Sequence, residues 1–165
     1  PLLWPMPDTS TLTISHGEVQ LPISTHGSHD ERHFPPPDAE EPWDINQIRA
    51  SDNQRQITTD MKTGVTTLEI IDDFGAVEDQ KHGMVSGSVA REWWSIHPDD
   101  PCSARGKTHW TEERSRGDWV TRTEAFAEMT SDTENFYLTA RMEAYENDTL
   151  IFEKDFQETI KRKHH

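Results

Sequence analysis

WVTRTEAFAEM, Trp119 to Met129, alternates small or apolar side chains with charged ones. Trp119, Thr121, Thr123, Ala125, Ala127 and Met129 fall on one side, and Arg122, Glu124 and Glu128 on the other. A period of two is the signature of a strand with one covered and one wet face, because successive side chains of an extended backbone point opposite ways. The run that follows repeats the pattern, with Phe136, Leu138, Ala140, Met142 and Ala144 opposite Thr139, Arg141 and Glu143. A third run sets Leu150, Phe152, Phe156 and Ile160 against Glu153, Asp155 and Gln157. Ser131–Asn135 and Glu146–Thr149 separate the runs and read as turns, since Asn and Asp tolerate tight backbone angles. The alternation predicts a three-stranded antiparallel meander whose polar face carries Arg–Glu cross-strand pairs.

Weaker signals of the same kind extend upstream. Thr11–Ile14 and Val19–Ile23 flank His16-Gly17, and residues 56–61 and 65–71 flank Lys62-Thr63-Gly64; each reads as a hairpin. Met84–Ile96 and Ser103–Glu113 read as strands on either side of Pro98-Asp99-Asp100-Pro101. About nine short strands, with no long amphipathic helix, predict an all-β chain built as a jelly-roll-like β-sandwich, galactose-binding-domain-like in architecture. Residues 24–53 carry His33-Phe34-Pro35-Pro36-Pro37 and then a run of acids. Proline removes ladder donors, so this stretch is expected to be one long extended surface loop within a single domain spanning 1–165.

The chain has 165 residues, 16 of them basic and 31 acidic, for a formal charge of −15. Such a surface repels a phosphate backbone and an anionic membrane, so neither nucleic acid nor membrane is expected as a partner. Fourteen aromatics (6 Trp, 6 Phe, 2 Tyr) are too many for a disordered acidic tail. Cys102 is the single cysteine, which suits a reducing, cytoplasmic compartment. No run approaches the ~20 apolar residues of a membrane helix. The chain opens on Pro1 rather than methionine, so the native N-terminus is expected to lie further upstream, and His164 and His165 are native or a tag remnant.

Several stretches resemble chemical motifs. Between Trp93 and Trp110 lie His97, Asp99, Asp100, Cys102 and His109. A zinc site needs closely spaced Cys or His pairs; here the histidines are separated by a turn and the cysteine has no partner. Aspartates and prolines at 98–101 read as turn residues, and the tryptophans as packing bulk. His29-Asp30-Glu31 with Pro101-Cys102 imitates a zinc deaminase signature, but Arg105 occupies the second cysteine's place. Asp73-Phe74-Gly75 spells a kinase tripeptide without its companion motifs and reads as a polar turn. Asn147-Asp148-Thr149 matches a glycosylation sequon that chance explains equally well. His26, His29 and His33 cluster in the proline-rich loop, where solvated side chains are expected. No strand-to-helix elbow exposes a serine, so no residue is assigned a catalytic, cofactor-binding or metal-ligating role and no cofactor is expected.

Ser88-Val89-Ala90-Arg91-Glu92, Trp94-Ser95-Ile96-His97-Pro98-Asp99-Asp100-Pro101 and Ser103-Ala104-Arg105-Gly106 resemble the C-terminal region of CocE/NonD-type hydrolases, the cocaine-esterase and Xaa-Pro dipeptidyl-peptidase group. Trp119–Glu124, Met129–Asp132 and Ala144-Tyr145-Glu146 continue the likeness in order, as do Leu3–Pro7 and Thr11–Thr13 near the start. Cys102, where an aliphatic residue is expected, and the basic tail from Ile160 depart from it. The resemblance implies a non-catalytic jelly-roll domain that follows an α/β-hydrolase domain of the same polypeptide. That domain carries the nucleophilic serine, and the jelly roll packs on it, helps wall the substrate cleft and supports homo-oligomers. The chain alone is then no enzyme, whereas its parent is a serine hydrolase of esters or peptide amides. The alternative is an independent carbohydrate- or ligand-binding module, with Trp4, Trp43, Trp93, Trp94, Trp110 and Trp119 as stacking candidates.

Overall fold

The alternating runs form strands that are joined by turns too short to let the chain leave its own sheet. In the computed structural model, residues 13–23 and 33–163 are described. The strands are β1 (Ile45–Arg49), β2 (Asp52–Thr59), β3 (Thr66–Asp79), β4 (Met84–His97), β5 (Asp100–Arg116), β6 (Trp119–Ser131), β7 (Asn135–Glu146) and β8 (Thr149–Lys161). All pair antiparallel in one sheet of 8 strands, ordered β1-β3-β4-β5-β6-β7-β8, and β2 shares with β1 the outer edge of β3. No helix occurs among the described residues, and none therefore is long and apolar enough to cross a membrane.

The meander follows its sequence reading closely. Ala125 faces Met142 and Ala127 faces Ala140, while Glu124 faces Glu143 on the opposite side. Directly opposed residues share a face, so the register carries the apolar set of each strand across the sheet without a break. One assignment is corrected. The register slips between Ala144 and Tyr145, so that Phe152 faces Ala144 but Leu150 faces Tyr145. The extra residue, Ile151, is a bulge that turns Leu150 onto the polar face.

Other expectations also change. The second layer and crossover connections of a jelly roll are not seen among the described residues, where each strand touches only its sheet neighbours. Two-residue turns at Pro98-Asp99, Gly117-Asp118 and Asn147-Asp148 leave no chain length for a crossover. Asp73-Phe74-Gly75 is not a turn after a strand but a bulge inside β3, between Asp73 and Ala76. Gly75 has φ +78°, and a Cβ there would lie 2.5 Å from the carbonyl oxygen of Arg49, so only glycine fits. The loop expected over 24–53 ends earlier, because β1 and the first residues of β2 fall inside it. These strands have little alternation to announce them; backbone pairing with β3 defines them. Of the hairpin expected around His16-Gly17, residues 11–12 lie outside the described residues and 13–23 form no strand.

Residues 10–42 make a unit separate from the sheet, and their described stretches are exposed coil. Within the sheet, the buried apolar residues among those described are only Ala76, Ala90 and Ala104, and no large side chain is fully buried. A single layer has no interior, so each face must either be wet or be covered by something else.

Candidate functional site

The two faces differ in kind. On one, Leu68, Trp94, Gly106, Met129 and Leu138 form a transverse row, because each is the register partner of the next. Ala90, Trp110, Ala125 and Met142 form a second row on the same face. Between these rows lies a hollow of about 250 Å³ walled by Trp94, Met129, Leu138 and Phe156 and floored by Gly106, Ala127 and Ala140. Its shape follows from residue size, with small side chains in the centre of the sheet and large ones around them. The Trp94 ring lies flat enough over Gly106 that a Cβ there would come within 2.8 Å of it. The indole N–H of Trp94 donates to Glu92 at 3.0 Å, which fixes the ring's direction. Phe74, thrown outward by the bulge, meets Trp110 at 6.4 Å between ring centroids. Trp110 and Met142 each remain 40% exposed and Phe156 44%, an uncovered apolar expanse of the kind that marks a docking surface.

The other face is a mesh of hydrogen-bonded charges. Glu124 is its centre: its carboxylate accepts from His109 Nε2 at 2.6 Å, from Thr111 at 2.8 Å and from Arg122. Burial works against the charged form of Glu124, yet these three partners outweigh it and hold the carboxyl below its ordinary value. The His109 ring stacks on Phe126 at 4.3 Å. Arg122 covers the Tyr145 ring, whose hydroxyl donates to Glu143 at 2.6 Å, and Arg141 spans Glu143, Glu153 and Asp155. The hydrogen bonds from Tyr145 and then Arg141 lower the Glu143 carboxyl. Each pair contributes little alone in so exposed a setting, but together they make the face self-satisfied. A shallow depression of about 470 Å³ crosses it, with Phe126 on the floor and Lys107, Glu128, Thr139, Arg141 and Asp155 around the rim.

The histidines and cysteine of the Trp93–Trp110 stretch are not brought together. His97 ends β4, where its N–H donates to Ser103 at 2.8 Å and its Nδ1 accepts from the Asp99 N–H at 3.2 Å. Asp100 accepts from the Cys102 N–H at 3.0 Å, and Ser103 donates to the Asp100 carbonyl at 2.6 Å. All of these bonds shape the turn. His109 instead lies mid-strand with Glu124. Among the described residues no group of three or more His, Cys, Asp or Glu side chains is placed to hold a metal. His33 is exposed coil, while His26 and His29 lie outside the described residues, as does Trp4. The tryptophans do not line one groove: Trp94 and Trp110 share the apolar face. Trp93, its N–H on Glu69 at 2.7 Å and Lys107 above its ring, lies on the polar one. Trp119 lies at the far end of the sheet and Trp43 is 74% exposed in coil.

The His109–Glu124 contact was missed in the sequence because fifteen residues and an unknown register separate the two. The clue available was that both fall on the polar side of their strands. Compared with known proteins, the chain matches no family model, no curated protein and no solved structure.

Proposed function

We propose that this chain is a non-catalytic accessory domain of a cytoplasmic α/β-hydrolase of the CocE/NonD type, docking its apolar face on the catalytic domain of the same polypeptide and helping to wall the substrate cleft. The observation that carries this reading is the uncovered face around Trp94, Trp110, Met129, Met142 and Phe156, in a chain whose other face satisfies its own charges. Water contact with so many large apolar groups costs about 25 cal/mol per Å², which a neighbouring domain removes. The likeness over Ser88–Gly106 and Trp119–Glu146 supports the same reading. The hydrolase domain supplies the serine, the base and the acid that split an ester or peptide amide. The test is turnover of p-nitrophenyl acetate by the 165-residue chain, by the hydrolase domain encoded upstream, and by the two joined. The reading expects no turnover from the chain, and activity from the joined protein that Trp110→Asp impairs. Turnover by the chain alone overturns it.

A second reading, an independent carbohydrate-binding module, is favoured by the depression over Phe126, where an aromatic floor and a rim of donors and acceptors suit a sugar ring. A glycan array separates the two, since an accessory domain leaves every glycan unbound.

A further inference from the structure

Strand β8 ends the sheet. All 13 of its residues are exposed, and among the described strands it contacts only β7. A long free edge invites pairing with another chain, and natural sheets guard such edges with charges that make a wrong partner costly. Whether the charges of β8 forbid or select a partner depends on their order.

The order is nearly palindromic about Phe156. From Phe152 to Ile160 the strand reads FEKDFQETI. Phe152, Lys154, Phe156, Glu158 and Ile160 lie on the apolar face, since their register partners Ala144, Met142, Ala140, Leu138 and Phe136 do. An antiparallel copy related by a two-fold axis perpendicular to the sheet keeps each face continuous, so only registers centred on a residue are allowed. With the axis at Phe156, Phe152 opposes Ile160 of the copy, Lys154 opposes Glu158, and Phe156 opposes itself. On the polar face Glu153 opposes Thr159, and Asp155 opposes Gln157. Over Phe152–Ile160 apolar meets apolar, and no like charges meet.

Neighbouring registers fail. Centring on Lys154 sets that lysine against itself and Glu153 against Asp155 twice. Centring on Asp155 opposes two aspartates and sets Phe152 against Glu158. Centring on Gln157 places Phe156 against Glu158 and Lys154 against Ile160. Like charges directly opposite destabilise a sheet, whereas opposite charges and apolar pairs stabilise it. Within the chain, Lys154 lies 4.7 Å from the Phe156 ring centroid, and neither Lys154 nor Glu158 forms an ion pair with a described residue. Among the described residues of one copy neither charge has a counter-ion, and each acquires one in two.

We infer that β8 is a homodimerisation edge, joining two copies antiparallel about Phe156 into one continuous sheet of sixteen strands. Reciprocal Lys154–Glu158 pairs set its register. The inference is independent of any catalytic domain.

Sedimentation velocity on the intact chain and on charge variants tests it. The wild type sediments as a dimer at about 100 µM. Lys154→Glu and Glu158→Lys each oppose like charges at two places and weaken the dimer about tenfold or more. The double reversal restores it. Both side chains are exposed, so circular dichroism is unchanged by either variant. In a Cys102→Ser background, Phe156→Cys closes an intermolecular disulfide on mild oxidation. Directly opposed residues are about 4.5–5.5 Å apart, within disulfide reach, whereas Gln157→Cys crosslinks poorly. A monomeric wild type overturns the inference, as does a dimer indifferent to both reversals, one the double reversal fails to restore, or an open polymer.

Discussion

His109 Nε2 on β5 lies 2.6 Å from Glu124 Oε2 on β6, and the same oxygen accepts the Thr111 hydroxyl at 2.8 Å. This contact places a carboxylate that is only 9% exposed at the centre of the polar face, surrounded by donors from two neighbouring strands. It resembles the acid–base half of a hydrolytic relay, and the hydroxyl beside it among the described residues is that of Thr111, which donates to the acid.

Stability should fall with acid through Glu124. Its carboxyl lies below the ordinary 4.5 in the folded state, so the unfolded chain takes up the proton first as pH drops. The stabilisation is complete above the ordinary value and is lost as pH falls through the lowered one. Glu124→Gln is expected to cost about 1–3 kcal/mol at neutral pH. It should also flatten the acid limb of stability measured by urea unfolding between neutrality and strong acid. An unchanged acid limb removes Glu124 from its central place.

Backbone geometry at the β3 bulge gives a second expectation. Gly75→Ala places a methyl against the Arg49 carbonyl at a φ of +78°, and should cost more than about 2 kcal/mol. Gly83→Ala, at φ +62° with nothing within 4 Å, should cost about 1 kcal/mol. Equal losses in chemical denaturation mean that the bulge does not set the path of the chain from β1 to β3.

The small floor of the apolar hollow is a third test. Ala140→Leu fills space between Trp94, Leu138 and Phe156 that is open in the chain alone. Unfolding free energy should therefore change by less than about 1 kcal/mol, as for an exposed substitution. Docking on the proposed hydrolase domain should weaken about thirtyfold or more, measured calorimetrically, since a filled socket excludes the partner's side chain. Loss of stability without loss of docking reverses the assignment.

The meander was legible because each of its strands spells its faces in single residues: Ala125 and Ala127 against Glu124 and Glu128, Met142 against Arg141 and Glu143. Leu150 was misplaced because a bulge at Ile151 reverses the period, and a bulge leaves no mark in hydrophobicity. β1 and the start of β2 were hidden among polar residues such as Asn46, Gln47 and Gln54, whose side chains announce no face, whereas residues 56–59 pair with 66–69 as the hairpin reading expected. The layered sandwich rested on strand number, but number does not fix connectivity; the two-residue turns do. The uncovered apolar face was implicit in the alternation, although nothing in a single strand says whether a second layer from the same chain will meet it.

The most direct measurement is hydroxyl-radical footprinting of the apolar face, in this chain alone and joined to the hydrolase domain that the proposed function places upstream. Trp94, Trp110, Met129 and Met142 should become protected in the joined protein while Trp93, Phe126 and Tyr145 on the polar face keep their reactivity. Equal reactivity of Trp110 and Met142 in both proteins, or protection confined to the polar face, contradicts the account.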